Sequence, residues 1–412
     1  MSSSTRAINS MLPLFLGMSL LFIGNGLVIS SGSVELKRIG TSEVMIGAIN
    51  TCFFIGAMIS TMTSHLIVLR AGHIRAFAIF SAIFSLSAMF HSLSMNLYFW
   101  AILRALLGFC YYALLMVIES WLNSKTPNRI RSRILAFYEA VFYINFGLGI
   151  LILSLELKTF EVFIIGAAFL MLSTIPLYLI RIKEPPLPPR QSVSMPKIFT
   201  IVPLALVGSV IAGVLINGFF SMSSVFIMLQ GYGAKEVSFF MTIAMFGGFC
   251  AQFFIGKLSD KFGRRPAIIF SCTIAFVSAL AFLFSTNLKV QYGLAFCLGM
   301  GIFCLYGLSI ARANDALTDR SKSVEVSRAL LFSYSSGSLI SPLVMGASMD
   351  MFGTFGFIYV YLTLSLVLLV FAFTKETIPV ELRKSYHPHV SRTIAIDGLN
   401  TTDNFTDMEN KK

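Results

Sequence analysis

Two charged residues interrupt apolar stretches of the sequence that are otherwise long enough to cross a lipid bilayer. Arg104 lies in the stretch 97–120, and Glu139 lies in the stretch 134–154. An ionisable group inside a bilayer costs at least about 2.5–3.5 kcal/mol, so such residues are candidates for function. Arg104 could bind an anionic group or tune the pKa of a carboxylate. Alternatively, backbone carbonyls between helices could hold its guanidinium group.

Acidic chemistry could come from Glu139 and Glu119. A buried carboxyl such as that of Glu139 could take up and release a proton at physiological pH, which a proton-coupled carrier requires. It could equally be a structural partner for an Arg at a helix end. Glu119 lies near the end of its apolar stretch, and we expect it to pair with Arg131 or Arg133 across the following loop, in a structural or gating role.

Uncharged polar residues also fall within the apolar stretches. The candidates for contact with a solute are Asn25, Asn217, Tyr306 and Tyr334. Polar side chains of this kind also hydrogen-bond one membrane helix to another. A structural role is therefore at least as well supported for each of them as contact with a solute.

Motifs for metals, nucleotides or covalent catalysis are missing from the sequence. All six Cys lie in apolar stretches without C-x-x-C pairing, which favours packing roles. Asn314, Asp315 and Asp319 match the N-D-x-x-D motif of membrane prenyltransferases only loosely, because the second Asp comes one residue late. No second acidic cluster could hold Mg²⁺ beside them. We therefore expect no cofactor, no metal and no enzymatic activity.

Composition indicates which elements position these residues. Of the 412 residues, 56% are hydrophobic and only 12% are charged, about half the charged share of a soluble domain. A soluble fold could not hide that much apolar surface. The composition therefore excludes a soluble enzyme, a nucleic-acid-binding protein and a disordered chain, and it predicts an integral membrane protein.

Charge-free runs have the length of about 20 residues that a membrane-spanning helix needs. Eight runs predict one helix each, namely 7–34, 44–69, 162–180, 237–256, 266–288, 290–311, 329–349 and 351–374. The run 198–234 predicts one more, and the run 76–103 predicts a helix, a turn at Asn96 and the start of the next helix. With the helices that contain Arg104 and Glu139, the sequence predicts twelve transmembrane helices.

The net charge of +12 follows from the loops on one predicted side of the membrane. With a cytoplasmic N-terminus, 25 of the 31 Lys and Arg residues lie on the cytoplasmic side, five lie on the outer side, and Arg104 lies within the bilayer. Positive loops are retained in the cytoplasm, so this bias predicts that both termini are cytoplasmic. The excess positive charge therefore requires no nucleic-acid partner.

A Pro-rich, basic segment at 181–198 divides the chain. It predicts a cytoplasmic linker between an N-terminal six-helix bundle (1–180) and a C-terminal six-helix bundle (199–375), which a polar cytoplasmic tail (376–412) follows. Short patterns recur in the two halves at offsets of 191–195 residues: Gly40-x-x-Glu43 with Gly233-x-x-Glu236, Arg70-Ala-Gly72 with Lys261-Phe-Gly263, and Arg133-x-Leu135 with Arg328-x-Leu330. The repetition predicts an all-α membrane fold of two pseudo-symmetric bundles with a solute site between them.

The segment Gly256-Lys-Leu-Ser-Asp260-Lys-Phe-Gly263-Arg264-Arg265 resembles the G-x-L-x-D-x-x-G-R-R signature loop of the major facilitator superfamily. Its first-half copy is degenerate, with Leu69 at the position of the Asp. Arg104-x-x-x-Gly108 resembles the Arg-Gly motif of the superfamily's fourth helix, and Ile118-Glu119-Ser120 is similar to a segment of a bacterial subgroup, the YcaD-like transporters.

The resemblance implies a secondary transporter that moves a small organic solute by alternating access, with helices 1, 4, 7 and 10 lining the cavity. We expect protons as the coupling ion, in symport or antiport, with uptake and efflux both open. Many aromatics and few charges favour an amphipathic solute, and Arg104 favours an anionic or zwitterionic one. We expect a monomer in the bacterial inner membrane. The alternatives are an integral membrane enzyme and a non-transporting sensor or scaffold.

The signature loop has a physical interpretation of its own. Asp260 and the cations that follow it within one turn could pair with charges on other cytoplasmic loops and lock the two halves in one state. Glu119 and Arg133 are the candidates for the same role in the first half. The alternative is a tight, positively charged turn without a gating role.

Overall fold

The computed structural model describes residues 11–126, 131–178, 202–317 and 323–378, and the regular elements of these residues are all helical. The main helices are α1 (Leu12–Arg38), α2 (Glu43–Ala71), α3 (His73–Phe90), α4 (Leu97–Lys125), α5 (Arg131–Leu151), α6 (Thr159–Leu172), α7 (Pro203–Met228), α8 (Ala234–Phe262), α9 (Arg264–Phe282), α10a (Leu288–Ile302), α10b (Leu305–Ala316), α11 (Ser323–Phe352) and α12 (Gly356–Phe373). A 3₁₀ turn, Ile152–Leu155, extends α5, and a short helix, Ile175–Tyr178, extends α6.

Twelve spans in the described residues are long and apolar enough to cross a membrane, with α10a and α10b counted as one. The predicted number of spans and the all-α membrane fold are therefore confirmed. The predicted linker at 181–198 and the tail beyond residue 378 lie outside the described residues.

Helix ends follow local chemistry. Asn96, at the predicted turn, caps α4 by accepting hydrogen bonds from the backbone N–H groups of Tyr98 and Phe99. Gly72 and Gly263 each end one helix and begin the next, with positive φ angles of 80° and 102°. Side chains other than glycine are disfavoured in this region, so the repeated Gly predicts the tight turn in both halves.

Paired glycines hold α2 against α4, and α8 against α10a. A Cβ atom at Gly56 would overlap the carbonyl oxygen of Ala105, and one at Gly108 would overlap that of Phe53. The same reciprocal arrangement joins Gly247 and Gly299 in the second half, 191 residues later. Small residues allow membrane helices to approach closely, so the internal repeat is conserved in the packing as well as in the motifs.

A second reciprocal pair of glycines joins α1 to α5 and α7 to α11. Gly26 lies against the backbone of Phe146, and Gly149 lies against that of Ile23. Their counterparts are Gly213 and Gly337 in the second half. These four glycine contacts each join two helices of the same half, so each of the two bundles is closely packed.

The helical bundle has two opposite ends. We call the end at which α1 begins the near side and the opposite end the far side. The halves meet in the far half of the bundle, where Gly47 of α2 lies against the backbone of Pro342 in α11, and Gly346 of α11 lies against that of Glu43. A cavity lies between the halves, on the near side of these contacts.

Candidate functional site

The central cavity has a volume of about 120 Å³ and is lined by side chains from both halves. Ten of its lining residues are aromatic, and only two, Arg104 and Glu139, are charged. Aromatic walls with a few polar groups are typical of sites for small organic molecules. Both of the charges that the sequence placed inside the membrane therefore reach the same cavity.

Arg104 is 1% exposed and extends from α4 toward α1, where its guanidinium group occupies the space above Gly32. Its Nε and Nη2 atoms are buried and have no hydrogen-bond partner, and no ion pair to Arg104 occurs among the described residues. A structural Arg would be expected to donate to backbone carbonyls. The geometry therefore favours an anion site over a purely structural role.

His91, just beyond the end of α3, does not share this charge. It is fully buried between Trp100 and Phe163, and its Nδ1 atom lies 2.7 Å from the carbonyl oxygen of Ser87. Burial, together with the positive charge of Arg104, lowers the pKa of His91 to about 3. His91 is therefore neutral at physiological pH, and among the described residues that line the cavity Arg104 is the only cation.

Glu139 extends into the cavity from α5 and is 3% exposed. Glu119 is buried at the near end of α4, outside the cavity lining, and accepts a hydrogen bond of 3.2 Å from the Tyr138 hydroxyl. Arg133 is exposed at the start of α5, and the side chain of Arg131 lies outside the described residues. The two glutamates thus differ in their access to a solute.

The C-terminal half contributes a polar group built around Asn217. The Asn217 amide nitrogen donates to the Tyr334 hydroxyl at 3.0 Å, to Ser338 Oγ at 2.7 Å and to the Gly213 carbonyl at 3.1 Å. Asn217 and Tyr334 line the cavity together with Asn25. Tyr306 is fully buried behind the cavity wall, where its ring packs on that of Tyr334 at 4.3 Å between centroids.

The signature loop lies at the near side, between α8 and α9. Arg264 is buried and donates to Asp315 and Asp260 at 2.9 Å each. Arg265 donates to the carbonyl oxygens of Ala372 and Phe373 at the end of α12. These bonds join α8, α9, α10b and α12, so the signature loop connects four helices of the C-terminal half. Gly256, the first residue of the motif, is buried in α8.

The degenerate loop of the first half has a different contact at the corresponding place. His73 takes the position of Arg264, directly after the turn glycine, and its Nε2 atom lies 3.2 Å from Ser120 Oγ. The contact of His73 with Ser120 joins α3 to α4, as the pair of Arg264 and Asp315 joins α9 to α10b.

Sequence reasoning missed the polar contacts that join the halves. Asn50 of α2 and Ser33 of α1 are hydrogen-bonded to the backbone of Ser221 in α7. Asn50 and Ser221 also line the cavity. No motif marks these residues, because uncharged polar residues are frequent in these helices and only the packing shows which of them meet.

Comparisons with known proteins concern the family and the fold. The family model of the Major Facilitator Superfamily matches residues 14–324. The uncharacterized MFS-type transporter YcaD of Escherichia fergusonii is 25% identical over 300 residues, which cover 72% of this chain and 78% of that protein. The Escherichia coli protein of the same name is 25% identical over 347 residues, or 83% of this chain and 88% of its own.

Solved structures of transporters share the fold. A bacterial homologue of the human lysosomal transporter Spinster, in an inward-facing and occupied conformation, covers 93% of this chain and 100% of its own, with a TM-score of 0.71 at 16% identity. The nucleoside transporter NupG covers 89% of this chain and 98% of its own, with a TM-score of 0.71 at 14% identity. At these identities the likeness concerns the fold alone.

Proposed function

The chain belongs to the Major Facilitator Superfamily and is a multi-pass membrane transporter, and from this premise we propose that it carries a small amphipathic organic anion by alternating access. The proposal rests on Arg104, a buried cation without an ion pair in the described residues. It lies in the wall of a cavity that is rich in aromatic side chains. A carboxylate would supply the missing partner, and the aromatic rings would pack against its apolar part.

Under this proposal the near side faces the cytoplasm of a bacterium and the transporter acts as a monomer in the inner membrane. The distribution of Lys and Arg supports this orientation. The far-side contacts between the halves then correspond to an inward-facing state. In the signature loop, Asp260 and Arg264 would change partners when the near side closes.

The transport proposal can be tested in proteoliposomes with radiolabelled phenylacetate and indole-3-acetate, and with their neutral amides. We expect protein-dependent flux of at least one acid and little flux of its amide, because only the acid carries a charge for Arg104. A protein that moves neither acids nor amides would favour the sensor or enzyme alternatives.

Glu139 is proposed as the proton-binding residue. An imposed pH gradient is expected to drive solute accumulation by the parent protein, and its direction distinguishes symport from antiport. In Glu139→Gln, gradient-driven accumulation should disappear while solute exchange at equal pH persists, because Gln keeps the shape but cannot release a proton.

Glu119→Gln is the matched control for this prediction. Glu119 lies outside the cavity lining, and Gln can still accept the hydrogen bond from Tyr138. Accumulation should therefore persist in this variant. If Glu139→Gln still accumulates solute against the gradient, Glu139 is not the coupling residue.

A further inference from the structure

Three buried polar residues connect the halves at the far end of the cavity. Ser33 Oγ donates to the carbonyl oxygen of Ser221 at 2.6 Å, and the Asn50 amide nitrogen donates to the same oxygen at 3.1 Å and to Ser33 Oγ at 2.9 Å. Ser33 is fully buried, and Asn50 and Ser221 are 4% and 6% exposed. We call this group the far-side latch.

The far-side latch lies where α1 and α2 of the first half contact α7 of the second half. On the opposite seam, between α5 and α8, Thr242 Oγ1 donates to the Gly147 carbonyl and Gln252 Nε2 donates to the Tyr143 hydroxyl, both in long hydrogen bonds of 3.4 Å. The latch, in contrast, shares three shorter bonds within a buried group. Buried hydrogen bonds of this kind are costly to break without replacement, so the latch favours the closed far side.

Asn50 also lines the cavity. Its side-chain orientation follows from its partners, because the Ser221 carbonyl can only accept and the amide nitrogen must face it. Both amide hydrogens are thus used within the latch, and the carbonyl Oδ1 is left as the atom that Asn50 can offer in the cavity wall. A solute O–H or N–H group, or a water between them, could donate to it.

We propose that Asn50 couples solute binding to closure of the far side, since its amide nitrogen binds across the halves while its oxygen receives the solute. This inference rests on the transport function proposed above. A donor at Oδ1 would polarise the amide and strengthen its bonds to Ser33 and Ser221. Asn50 therefore transmits solute binding to the far side through the latch.

Asn217 supplies the matched control. It is also a cavity-lining Asn whose amide nitrogen donates to a backbone carbonyl and a serine hydroxyl. Its partners, Gly213, Tyr334 and Ser338, all belong to the C-terminal half. Loss of the Asn217 side chain would change the cavity without breaking a bond between the halves.

The test measures far-side opening directly. Spin labels would be placed on the far side at Ile39→Cys, in the turn after α1, and at Lys235→Cys, in the first turn of helix α8, after replacement of the six native Cys by Ser. Double electron–electron resonance in lipid nanodiscs gives the ratio of long to short distances. We expect Asn50→Leu to raise this ratio about tenfold, Ser33→Ala to raise it less, and Asn217→Leu to leave it unchanged.

The readout does not depend on transport. An unchanged ratio in both Asn50→Leu and Ser33→Ala would overturn the proposal, and so would an equal rise in Asn217→Leu or a parent protein without the short distance. Ser33→Ala removes a single oxygen atom, so it keeps the test valid if Asn50→Leu does not fold. If the ratio shifts as expected in a protein that moves no solute, the latch stands and the proposed solute class fails.

Discussion

Arg104→Met is expected to abolish transport of an anionic solute and, at the same time, to stabilise the protein. Transport should fall at least about 30-fold, because a buried, charge-assisted contact contributes about 2–5 kcal/mol. Stability should rise by about 1–3 kcal/mol, because a lone cation in a membrane protein is costly and Met removes it without leaving a large void. A substitution that lowers activity but raises stability shows that the original residue is maintained for function.

The measurement combines two assays on the same preparation. Flux of phenylacetate and indole-3-acetate in proteoliposomes reports activity, and the melting temperature of the detergent-purified protein reports stability. Arg104→Lys is the control, since it retains the charge but loses the planar, multi-donor geometry. We expect intermediate flux and little gain in melting temperature. A lower melting temperature for Arg104→Met would show instead that the guanidinium group is a structural element.

Gly108→Leu is expected to prevent assembly of the N-terminal half. A Cβ atom at this position would already overlap the carbonyl oxygen of Phe53, and a backbone atom of a packed helix cannot move aside as a flexible side chain can. Overpacking in a well-packed interior typically costs about 1–3 kcal/mol for smaller changes, and a full Leu at a helix seam should exceed this. We expect loss of monodisperse protein, measured by size-exclusion chromatography after membrane extraction.

Gly293→Ala is the matched control for the seam. Gly293 also lies in a transmembrane helix, α10a, but a Cβ atom there would meet nothing within 4 Å. Ala should therefore be tolerated and should stabilise the helix by about 0.5–1 kcal/mol. Gly299→Ala, in the corresponding seam of the second half, should be destabilising. If Gly108→Leu yields as much monodisperse protein as the parent, the two helices do not need the close approach described here.

Much of the fold was predictable because the bilayer directly limits which residues a membrane-spanning helix can contain. A bilayer requires about 20 apolar residues for each helix, so the twelve spans could be counted from charge-free runs alone. The cost of a charge in lipid made Arg104 and Glu139 conspicuous. Gly72 and Gly263 recurred at corresponding places in the two halves, and their positive φ angles in the structure explain why the repeat keeps glycine there.

Contacts between helices were not predictable in this way. Every transmembrane helix here is apolar over most of its surface, so hydrophobicity does not reveal which face meets a neighbour. Only the tertiary structure placed Arg104 and Glu139 in one cavity, assigned Tyr306 to the layer behind it, and brought Asn50 to Ser221 across the two halves. The sequence alone determined that this chain spans the membrane twelve times and which charges it keeps there. The packing decided which side chains face the solute, because that depends on helix rotation and close contact rather than on composition.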